Sequence, residues 1–184
     1  MTNSFYSQEE LGKIGFKSIG SNTLISRFAR FYGVENMEIG SNTRIDDFCI
    51  LSGQIKLGNY IHISAYCALY GKFGVELEDY SGLSPRCTVF SATDDFSGDY
   101  LIGPLVDPKY IRLIGGKVLI EKYSQLGSNC VVLPSVTIHE GVAVGAMSLI
   151  NKDLMPWGIY TGIPAKILKE RSKKLLIYVE NSAD

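Results

Sequence analysis

The chain has 184 residues, 46% of them hydrophobic, with 18 basic against 19 acidic side chains. That apolar share is enough for one buried core, and the balanced charge excludes a general polyanion binder, because duplex binding needs many uncompensated Lys and Arg. No stretch approaches the roughly 18 consecutive apolar residues of a membrane span, and Met1 to Glu10 lacks the basic and apolar regions of a secretory signal, so a cytoplasmic location is expected.

Ser7-Gln8-Glu9-Glu10 reads as a capping box opening a short helix that stops at Gly15, a cap over residues 1–18. From Ile19 a repeat takes over. An aliphatic or aromatic residue recurs every six positions at Ile19, Ile25 and Phe31, then from Ile39 to Leu69, then at Leu77, Leu83 and Val89. The position two residues before these is usually small or β-branched, and all four cysteines fall there. Residues two apart on a strand share a face. Each hexad therefore supplies one small and one large inward residue and then a turn. Helical three- and four-residue spacing is absent.

Between Thr93 and Lys117 the period fails, which predicts an irregular loop over 94–117, a length often tied to function. The repeat returns from Ile120 to Ile150. Eighteen hexads, three to a coil, give about six coils over residues 19–155, a column of roughly 29 Å at strand spacing. Gly162-Ile163-Pro164-Ala165 ends it, and a helix is expected from Ala165 to about Val179 within a tail of 156–184, with Ile167, Leu168, Leu175, Leu176 and Val179 on its packing side.

Cys49, Cys67, Cys87 and Cys130 stand singly at inward positions, so they read as small core hydrophobes and no metal site is expected. The two histidines, His62 and His139, cannot build a three-histidine zinc site within one chain.

The hexads resemble those of the hexapeptide-repeat acyltransferases, in particular the galactoside and maltose acetyltransferase branch and bacterial surface-polysaccharide O-acetyltransferases. The resemblance implies an all-β solenoid, a left-handed parallel β-helix, and a homotrimer with its active sites between subunits. It also implies direct acyl transfer from acetyl-CoA as co-substrate. The C-terminal pattern matches closely. By resemblance, Ser128, Gly145 and Ala146 lie along the pantetheine arm, and Asn151, Lys152, Lys166 and Lys169 lie near the adenosine end. A tryptophan common on this wall is Gln125 here.

The acceptor side departs from that branch. Asp94 stands where its catalytic histidine would be. His62, at an outward position between inward Ile61 and Ile63, becomes the candidate base, since imidazole titrates nearest neutrality. Asp94 or Asp95 of a neighbouring chain is expected to orient it. Ser64, Tyr66, Tyr70 and Arg86 are candidates for touching the acceptor. The expected activity is O-acetylation of a sugar or polysaccharide unit. The alternatives are N-acetylation of an amino-sugar nucleotide and a non-catalytic binding solenoid.

Overall fold

The computed structural model describes residues 4–180; Met1 to Asn3 and the last four residues of the expected tail lie outside the described residues. The chain winds into a left-handed parallel β-helix of about seven turns. Each turn lays one short strand on each of three faces. On the second face the strands stack in register as Arg44 beside His62, His62 beside Gly82, Gly82 beside Gln125, Gln125 beside Ala143 and Ala143 beside Ile159. The residue after each of them points inward. Ile45, Ile63, Leu83 and Leu126 are fully buried, and with their counterparts on the other faces they form one continuous stacked core. The cysteines join it, as their hexad position requires.

A triangular coil turns sharply at each corner, and most corners need a residue in the left-handed region. Asn is the cheap solution and stands at Asn22, Asn42 and Asn129. Elsewhere Phe48, Tyr60, Tyr66, Tyr80, Tyr123 and Trp157 hold positive φ. The strain at these aromatics is offset by stacking along the column: Tyr60 on Tyr80 at 4.5 Å, Tyr80 on Tyr123 at 5.7 Å, Phe48 on Tyr66 at 5.0 Å.

The N-terminal helix runs Gln8–Ile14, with Ser7 and Glu10 closing the capping box and Gly15 left-handed beyond it; Leu11 buries its inner face. The segment over 94–117 is partly ordered as a hairpin, Ala92–Asp94 against Leu113–Gly115, with a 3-10 turn at Pro108–Tyr110.

The tail corrects the expectation of a helix from Ala165. Lys166–Glu170 is a strand, antiparallel to Gly158–Thr161, and the helix is confined to Leu176–Glu180. The solenoid itself runs past Ile150: Leu154 bridges Ile138, and Gly158–Thr161 adds a last strand to the second face. That strand would leave a free edge, and the tail covers it. Pairing won over helix propensity because the edge offers a row of backbone partners that a helix cannot use. Ile167 and Leu168, expected to pack, are 60% and 63% exposed.

Candidate active site

The hydrogen-bond ladder of the second face continues one residue past each strand. The N–H groups of Asp46, Ser64, Ser84, Gly127 and Gly145 each donate to a carbonyl of the next turn. These five residues form one edge of the prism, the corner between the second and third faces. The strands place His62 beside it, half exposed. Above His62 the outward position is Gly82. A Cβ there would stand 2.8 Å from Gln125 Oε1, so the glycine opens a notch between His62 and Gln125. Gln125 Nε2 reaches Ser84 Oγ at 3.4 Å across the top of that notch.

His62 does not stand alone. Its Nε2 lies 2.8 Å from Asp46 Oδ2, and Arg44 Nε donates to Asp46 Oδ1 at 2.7 Å. Burial raises the Asp46 carboxyl, but the hydrogen bonds from His62 and Arg44 outweigh it and hold its pKa below the usual value. An ionised carboxylate only accepts. Nε2 must therefore carry the proton, which leaves Nδ1 as the acceptor of a neutral ring. Sequence reasoning missed Asp46. The signal was present: Asp46 precedes Ser64 by one 18-residue coil, so it lies under the same corner.

The other expected residues fall into two groups. Ser64, Tyr66 and Arg86 share the corner with His62; Ser64 is nearly buried, Tyr66 is exposed, and the Arg86 guanidinium lies over the Tyr66 ring at 5.6 Å. Ser128, Gly145 and Ala146 continue that same edge toward the C-terminus. Their small side chains leave the groove open, as a pantetheine arm needs.

The second group lies across the third face. Tyr70 stacks on Phe90 there at 5.2 Å. Beyond them Asp94 lines an apolar cavity of about 550 Å³ together with Phe90, Ala92, Thr93, Phe96, Leu133 and Pro134. Asn151 and Lys152 follow the third-face strand Leu149–Ile150, on this side of the prism. Lys166 and Lys169 are exposed on the tail strand. Asp95 serves the loop instead: it is nearly buried, accepts from Ser97 N at 2.8 Å and lies 3.8 Å from Arg112. Hydrogen bonds from the Ser97 side chain and backbone hold its carboxyl below the usual range. Within one chain the structure places His62 at one edge of the third face and Asp94 at the other. No group of three or more His, Cys, Asp or Glu among the described residues is arranged to hold a metal ion.

A parallel triangular solenoid with a small-residue groove along one edge is the architecture of an acyl-CoA enzyme, and known proteins bear this out. Over 176 residues the chain is 42% identical to a dTDP-4-amino-4,6-dideoxy-D-glucose acyltransferase of Escherichia coli, covering 94% of this chain and 92% of that one. A variant of AntD, an N-acyltransferase from Bacillus cereus, was solved with dTDP-4-amino-4,6-dideoxyglucose and coenzyme A. It superposes with a TM-score of 0.94 at 47% identity, over 100% of this chain and 98% of that one. A hexapeptide-repeat acetyltransferase from Vibrio cholerae, complexed with acetyl coenzyme A, shares the fold at a TM-score of 0.60 and 19% identity, over 93% and 81% of the two chains. No family model matches the chain.

The chain belongs to the hexapeptide-repeat acyltransferases. It is an acyltransferase, and its solved relatives hold coenzyme A or acetyl coenzyme A. No helix among the described residues is long and apolar enough to cross a membrane.

Proposed function

We propose that the enzyme transfers an acyl group from acetyl-CoA to the amine of a nucleotide-linked amino sugar, of the kind represented by dTDP-4-amino-4,6-dideoxyglucose. The observation that carries this reading is near-full-length similarity to two proteins whose names specify that acceptor or N-acylation. It favours the amine over the hydroxyl acceptor expected from the resemblance alone.

In this reading the thioester arm lies along Ser128, Gly145 and Ala146, with its phosphates toward the lysines of the C-terminal turns. The amino sugar lies toward the N-terminal turns, at His62 and Ser64. The chains assemble as a homotrimer, so that the His62 edge of one chain faces the Asp94 cavity of the next. Asp94 accepts a hydrogen bond from the sugar amine and fixes its direction. The His62 Nδ1 lone pair takes the proton that frees the nitrogen. The nitrogen then attacks the thioester carbonyl. The developing oxyanion is met by the Gln125 amide and the Ser84 hydroxyl. The C–S bond breaks, and the thiolate leaves with the proton shed by the new amide. An amine, once neutral, is a better nucleophile than a hydroxyl, so no covalent enzyme intermediate is required.

The test is release of free CoA thiol with a panel of acceptors. Turnover with dTDP-4-amino-4,6-dideoxyglucose, absent with the 4-hydroxy counterpart, is the expected result. Turnover of a hydroxyl sugar with none of the amino sugar would overturn the reading.

A further inference from the structure

Directly behind the active-site edge stand four buried thiols, one per turn. Cys49, Cys67, Cys87 and Cys130 each immediately precede a third-face strand, and those strands are paired in register. Each thiol reaches forward to a carbonyl of the corner one turn on. Cys49 Sγ donates to Ser64 O at 3.1 Å and Cys67 Sγ to Ser84 O at 3.2 Å. Cys87 Sγ donates to Gly127 O at 3.1 Å and Cys130 Sγ to Gly145 O at 3.2 Å. The four acceptors are corner residues of the groove itself. In the next turn Ser148 takes the same place, and its hydroxyl donates to Gly145 O at 2.7 Å. In the first turn the place belongs to Ala29, which has no donor.

A corner peptide whose carbonyl is turned into the core must find a donor there, because a buried unpaired carbonyl is costly. For Cys49, Cys67 and Cys87 an aliphatic side chain of cysteine's size fills the same volume and takes the thiol donor away from that carbonyl, whereas Gly145 O keeps the Ser148 hydroxyl. The corner then gains by rotating the peptide, which moves the N–H and side chain on its outer surface. Burial pushes the Cys49 thiol up to about 12, so this donor keeps its proton, whereas hydrogen bonding with Cys87 lowers Cys67 and brings Cys130 to about 7.

We infer that the four cysteines are positioning residues, each fixing the corner peptide that meets one part of the bound substrates. Cys49 and Cys67 act behind the acceptor half, through Ser64 and Ser84. Cys87 and Cys130 act behind the coenzyme half, through Gly127 and Gly145. The inference rests on the proposed arrangement, with acceptor toward the N-terminus and CoA toward the C-terminus.

The experiment is a set of single Cys→Val and Cys→Ser variants, each measured for both KM values, kcat and Tm. A lost net hydrogen bond of ordinary strength corresponds to about a three- to tenfold effect. Cys87→Val is expected to raise the KM for acyl-CoA by that factor, Cys130→Val by less because Ser148 still donates to Gly145 O, and both leave the acceptor KM within about twofold. Cys49→Val and Cys67→Val are expected to do the reverse. The serine variants, which keep a donor, recover most of the loss. Variants that lower Tm alone, or that shift both KM values alike, would overturn the inference. Should a valine variant not fold, calorimetric CoA binding by Cys87→Ala and Cys87→Ser decides: equal affinities refute the role, and weaker binding by the alanine protein supports it. A wild type that releases no thiol with any amino sugar refutes the functional reading instead, since CoA binding by the cysteine variants is read independently of turnover.

Discussion

Asp46 carries more of the site than its place in the sequence suggests. It bridges an imidazole and a guanidinium, and its carboxylate sets which nitrogen of His62 holds the proton. Asp46→Asn removes the anion while keeping the shape. Activity should fall by about a hundredfold, the lower end of what a correctly set base contributes. Stability gives an independent readout with a defined sign. The folded carboxyl is held below its unfolded value of about 3.9, so its stabilisation is fully present above that value and is lost as pH falls through the folded pKa. Urea denaturation of the wild type and Asp46→Asn should therefore show a gap at pH 6 that closes toward pH 2. A gap constant with pH would mean that the carboxylate charge is not what stabilises this corner. Two hexad-level facts made His62 legible: its outward parity and its type. Asp46 stands at a corner, and only the coil register, which pairs Arg44 with His62, sets its carboxylate beside the ring.

The tail strand shows what local pattern cannot reveal at the scale of an element. Ile167, Leu168, Leu175 and Leu176 have the spacing of a helix face, yet the backbone of Lys166–Glu170 is fixed by an edge that the solenoid presents from elsewhere. The repeat, the faces and the inward residues were readable because a strict period encodes them. The tail was not, because its partner is chosen by tertiary position. Its anchor is Arg171, whose Nη1 donates to Tyr123 O at 2.7 Å and Gly141 O at 3.0 Å, two carbonyls on successive turns of another corner. Burial lowers the pKa of this guanidinium, and those carbonyls supply its hydrogen bonds. Arg171→Met keeps the stem and removes the donors. It is expected to cost about 2 kcal/mol, as charged hydrogen bonds do. The loss should be local first. Amides of residues 166–170 should exchange faster, with those of the inner turns unchanged. Uniform acceleration throughout the chain would show instead that the tail and the solenoid unfold as one unit.

For the whole molecule the decisive geometry is the separation of the two groups of candidate residues. His62 and the groove occupy one edge of the third face, and Asp94 with its apolar cavity occupies the other. In the proposed assembly another copy brings them together, and a closed ring of three repeats the same contact around its axis. A trimer of this 20.3 kDa chain should scatter light as a particle of about 61 kDa. A sharper test uses the two edges separately. His62→Asn and Asp94→Asn homotrimers should each be nearly inactive. When the two are co-expressed and assort at random, a site is whole only if its imidazole comes from one variant and its carboxylate from the other. Each choice succeeds half the time, so about a quarter of the sites should recover wild-type turnover. If both groups served a site within a single chain, no mixed trimer would contain one intact site, and co-expression would restore nothing.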